Sequence, residues 1–154
     1  MQDNPFSPPK AVVEGAPAEA AIAPPLWNPN AAANWCLLLS PIFGTWLHMK
    51  NWTALQETER AASARRWLIA SGVLVLATFV LALRPHGVQI PRAVNFVLLI
   101  AWYFAAARDQ ARYVKERFGE NYPRRGWAVP LLLGLGAIVG VILFATVLVV
   151  AGIV

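Results

Sequence analysis

Four long apolar runs constrain this chain more than any other feature of its sequence. Residues 131–153, LLLGLGAIVGVILFATVLVVAGI, carry no charge, and Thr146 is the only hydroxyl. As a helix this run would be roughly 35 Å long, more than the ~30 Å of a bilayer's hydrocarbon layer, so it must tilt or protrude. Residues 67–83, WLIASGVLVLATFVLAL, are also uncharged and would reach roughly 25 Å. Residues 93–107, AVNFVLLIAWYFAAA, form a shorter run flanked by Arg92 and Arg108, whose long side chains can reach the headgroups. The remaining run, 31–49, AAANWCLLLSPIFGTWLHM, is the least apolar of the set.

A water-soluble core of this size has no room for so much apolar side chain. Hydrophobic residues make up 58% of the 154 positions and charged residues 14%, against about 25% charged in soluble domains. The expected fold is therefore all-α: a polytopic membrane helical bundle with spans near 31–49, 67–83, 93–107 and 131–153. The first of these is open to two readings. Pro41 removes a backbone donor and Gly44 lies nearby, so the run either spans with a kink, giving four transmembrane helices, or enters and returns, giving three plus one re-entrant element. Four spans is the preferred arrangement.

Residues 1–30 hold seven prolines and many alanines without apolar periodicity, which reads as a disordered tail preceding a single helical domain at 31–154. The segment 50–66 is polar and helix-prone. Thr53 and Gln56 match a capping box, and this helix is expected to run straight into the second span. In the segment 108–127, Asp109 can pair with Arg112, Arg108, Arg112 and Lys115 share a helical face, and Gly119 followed by Pro123 ends the helix. The stretch 84–92, with two prolines and a glycine, is a turn.

The net charge of +5 follows membrane topology rather than nucleic-acid binding. Ten of the 13 Lys and Arg residues lie in 50–66 and 108–127, which places both segments on the cytoplasmic side of the membrane. The turn at 84–92 and the C-terminus then face the other side. The tail is outside if 31–49 spans and cytoplasmic if it is re-entrant. Arg65, Arg66, Arg108, Arg112 and Lys115 form a basic cytoplasmic surface suited to anionic headgroups.

Chemistry-bearing residues are few. Cys36, the single cysteine, packs as a small hydrophobe and rules out an internal disulfide. His48 and His86 fall on opposite faces in this topology, and none of the familiar catalytic or phosphate-binding motifs is present, so no catalytic residue, cofactor or metal ligand is assigned. Asn34, Ser40 and His48 are the polar groups within the first run. Gly136 and Gly140 form a GxxxG pattern that lets helix backbones approach, either another helix of this chain or a second copy in a homodimer.

Three stretches carry a resemblance. NPFSPPKAVV, with Asn4, Pro5, Phe6, Pro9, Ala11 and Val13, resembles the opening of many small bacterial inner-membrane proteins. WNPNAAANWCLLLSPIFGTWLHMKNW and RYVKERFGENYPRRGW resemble motifs of an uncharacterised group of such proteins. The resemblance implies a Gram-negative inner membrane and no particular activity. The functional expectation is a non-enzymatic protein acting through protein–protein contact, either immunity-like against a membrane-targeting toxin or an accessory subunit of a larger complex. The alternative is a small oligomeric channel or transporter with Asn34, Ser40 and His48 lining its path.

Overall fold

The computed structural model describes residues 22–83 and 92–153. The readings made for the tail before Ile22 and for the turn at 84–91 fall outside them. Among the described residues all regular structure is helical, as expected.

The first apolar run forms two helices, α1 (Pro29–Leu38) and α2 (Pro41–Ala54). Both begin the same way, with a capping side chain followed by proline. Asn28 Oδ1 accepts from the N–H groups of Asn30 and Ala31, and Ser40 Oγ accepts from Phe43 N–H at 3.2 Å. Proline at the first helical position loses no hydrogen bond, because that N–H would be unpaired in any helix. Pro41 therefore starts a second helix rather than kinking the first.

The two helices run antiparallel. A Cβ placed on Gly44 would collide with Cys36 Sγ and come within 3.0 Å of the Ala32 carbonyl oxygen, so α2 lies against α1 at backbone distance. At the open end of the hairpin, Trp27 is hydrogen-bonded to the Asn51 side chain, 24 positions further on. Residues 31–49 thus belong to two helices folded back on each other and not to the single kinked helix that the preferred reading expected, which is corrected. The same geometry places the first described residues. Leu26 N–H donates to the Pro123 carbonyl and Leu26 O accepts from Arg125 N–H, an isolated bridge that ties this segment to the polar segment before the last helix.

Helix α3 (Thr58–Ala82) starts only after a tight turn at residues 55–57, and from there it runs without a break from the polar segment into the second apolar run, as expected. Thr53 lies in the last turn of α2, its hydroxyl donating to the Met49 carbonyl at 2.9 Å. Gln56 sits in the turn with φ 60, a left-handed conformation. The expected capping box does not form, because α2 has carried Thr53 past the point where it could begin a helix. Helix α4 (Arg92–Trp102), a π-helical turn (Tyr103–Ala107) and α5 (Arg108–Phe118) make one uninterrupted rod. The wider π turn brings residues five apart onto one face, and Trp102 and Ala107 are both buried. Gly119, at φ 66, closes the rod as anticipated, with its N–H on the Lys115 carbonyl.

Helix α6 (Ala128–Val150) and α3 are two helices long and apolar enough to cross a membrane. They rise side by side from the polar end, with Phe79 and Phe144 in contact near the far end. The α4–α5 rod runs the other way. Its Leu98–Trp102 stretch faces Trp67–Leu74, and Tyr113 meets Trp52 at the polar end. The hairpin fills the space between these rods. One side of it packs Ala33 and Cys36 on Trp102 and Ala107, and the other packs Ala32, Phe43 and Leu47 among Trp35, Trp127 and Leu131.

Candidate functional site

The most organised chemistry lies where the open end of the hairpin meets α5. Helical spacing places Leu47, His48 and Asn51 on the inner face of α2, and Ala107, Gln110 and Val114 on the facing side of the rod; all six are buried. Asn51 Oδ1 accepts from Trp27 N–H at 3.0 Å, and its amide donates to the Trp27 carbonyl at 2.8 Å and to Gln110 Oε1 at 3.2 Å. Gln110 in turn donates to the His48 carbonyl at 2.9 Å. Two side-chain amides thus join three segments that are distant in sequence. Buried amides are stable only when paired, so this arrangement specifies the register of the hairpin against the rod.

His48 itself is 1% exposed, and its ring nitrogens make no well-formed hydrogen bond among the described residues, although the Pro29 carbonyl lies alongside the ring. Its ring stands edge-on to Trp102 at 5.2 Å. In this setting the imidazole packs as an aromatic against Trp102.

Below this layer a second cluster ties the α2–α3 turn to α5. The Tyr113 hydroxyl donates to Glu57, which leaves the Glu57 carboxylate off the start of α3. Arg117 donates to the Tyr113 hydroxyl at 2.6 Å, and Arg60 stacks between the rings of Trp52 and Tyr113 at 4.9 and 4.5 Å. Loss of hydration, and then the Glu57 carboxylate, raise the Tyr113 phenol above its ordinary value. A cleft of about 200 Å³ beside it is lined by Arg60, Asp109, Arg112, Tyr113 and Glu116 among others. Two cations and two carboxylates give it no net preference for either sign of ligand.

The polar residues singled out in the first run are not brought together. Asn34 is exposed on α1, Ser40 caps α2 at the hairpin tip, and His48 is buried near the opposite end. Gly136 and Gly140 are on an open face of α6, where an added Cβ would meet nothing within 4 Å. The glycine of α6 that packs against the rest of the chain is Gly134, against Leu39 and Phe43. Arg65, Arg66, Arg108, Arg112 and Lys115 are all exposed near the polar end, with Arg112 paired to Asp109 at 2.9 Å as expected. No group of three His, Cys, Asp or Glu among the described residues could hold a metal ion.

Asn51 and Gln110 went unmarked in the sequence because both fall inside segments that look like polar loops. The available signal was spacing: Phe43, Leu47 and Asn51, and Ala107, Gln110 and Val114, continue the apolar stripe of each helix into the polar region. Comparison of the chain with known protein families, characterised proteins and solved structures found no match.

Proposed function

We propose that this chain is a multi-pass bacterial inner-membrane protein that works by contact with another membrane protein rather than by catalysis. The observation that carries this reading is the exposure of the long helices. Of their most apolar 18-residue windows, only 6% in α3 and 0% in α6 is buried within the chain. Such surfaces need lipid or protein around them. Three passes, α3, the apolar part of the α4–α5 rod and α6, together with a re-entrant α1–α2 hairpin, put every basic cluster at one end. The positive-inside rule makes that end cytoplasmic, tail included.

The protein-contact part of the reading draws on the open GxxxG face. Gly136 and Gly140 offer an approach for a helix of a second copy, of a membrane-targeting toxin, or of a larger complex to which this chain is accessory. The channel alternative has no support of this kind, since its intended lining residues lie apart.

In-membrane crosslinking followed by native gel electrophoresis tests the proposal. The chain is expected to resist alkaline extraction from membranes and to migrate in a complex. Gly136→Ile should weaken that complex while leaving helical content unchanged, because nothing within the chain abuts the position. A complex that survives this change removes the GxxxG face as the contact.

A further inference from the structure

A groove of about 430 Å³ runs between the hairpin, α3 and α6. Leu39, Phe43, Trp46, Val75, Ile138 and Val141 supply most of its wall, and Ser40 contributes a single hydroxyl. At Gly134, which also lines the groove, α6 meets the hairpin closely: a Cβ there would lie 2.9 Å from Leu39 Cδ1.

The end of the groove nearest the basic pole is marked by Trp46. From there an aromatic strip leads to a cation: Trp46 and Trp27 have ring centroids 6.2 Å apart, and the Arg125 guanidinium stacks 4.7 Å over Trp27. Lys50 is exposed one helical turn from Trp46, on the same face of α2. Neither Arg125 nor Lys50 forms a salt bridge with another described residue. An apolar slot, an aromatic collar and two cations in sequence match the order of parts in a lipid: acyl chain, glycerol region, phosphate.

We infer that this groove is a binding site for an anionic phospholipid, one acyl chain lying between the hairpin and α6 and the phosphate at Arg125 and Lys50. The site rests on the membrane placement argued above. It differs from general attraction to a basic surface because the chain and the headgroup are held at defined positions. A second copy is the weaker occupant, since the open small-residue face of α6 at Gly136 and Gly140 lies beside the groove and not in it.

Native mass spectrometry of the full chain in neutral detergent tests this, with phosphatidylglycerol and phosphatidylethanolamine of identical acyl chains offered in equal amounts. The phosphatidylglycerol adduct should dominate about fivefold or more, and Arg125→Gln should cut that preference by about fivefold. Ala137→Trp, which fills the groove from an exposed position, should remove both adducts with the helical circular dichroism signal retained. Val141→Trp serves the same purpose should the first variant not fold. Equal adducts of the two lipids, or a phosphatidylglycerol adduct that persists in a folded groove-filled variant, overturns the site. So does a lipid-free dimer that dissociates on filling the groove, which would assign it to a second copy. Failure of the membrane placement is read separately, as a chain that stays folded and monomeric without detergent.

Discussion

Asn51 and His48 sit one turn apart on α2, equally buried and opposite in consequence. The Asn51 amide satisfies both backbone groups of Trp27 and one group of Gln110. Replacing it by alanine strands those partners away from water, at about 1–3 kcal/mol for each group left unpaired. His48 makes no well-formed hydrogen bond and has only the Pro29 carbonyl alongside its ring, so an apolar ring of similar size loses little that is polar. Asn51→Ala should therefore lower the thermal unfolding midpoint in detergent markedly, whereas His48→Phe should cost under about 1.5 kcal/mol. A large loss at His48→Phe would mean that the imidazole has a polar partner. Neither role can be read from residue type alone, since each depends on what another segment brings alongside.

Within the elements, the hairpin depends on one close approach. Gly44 admits Cys36 Sγ and the Ala32 carbonyl where any other side chain would intrude. Gly44→Ala should destabilise the protein by about 1–3 kcal/mol through overpacking. Removing the sulfur should return part of that loss, so the double variant Cys36→Ala/Gly44→Ala is expected to be more stable than the sum of the single changes. Additive effects would show that the two residues do not meet. Helix boundaries were legible wherever a residue acts on its own backbone. Gly119 ended α5, and the pairing of Asp109 with Arg112 is local to one turn. The capping box at Thr53 was misleading because its pattern is equally compatible with the end of a helix that began at Pro41. The π turn at Tyr103–Ala107 leaves no mark on composition, since only its facing partner reveals why an extra residue is accommodated.

For the molecule as a whole, the polar segments 50–66 and 108–127 meet at one end, and the start of the described chain joins them through Leu26. This makes a definite statement about sidedness. In a Cys36→Ala background, single cysteines at Ile22, which is 95% exposed, and at Gln56 should label from the same side of the membrane. Labelling of the two from opposite sides would break the hairpin arrangement. Charge counting alone left the tail on either side, because Lys10 against Asp3, Glu14 and Glu19 gives no decisive bias.

Sequence alone determined the helical class, the long apolar segments and the clustering of basic residues, because hydrophobic length and local charge are properties of contiguous stretches. It also held, at Ser40-Pro41, the signal for a helix start, though that dipeptide reads equally well as a kink. Tertiary structure decided between them. The return of α2 along α1, the Asn51–Gln110 amide link and the open face at Gly136 and Gly140 all depend on which distant segment lies across the contact. No residue carries that information by itself; it arises from close packing around Gly44 and from the need of buried amides to find partners.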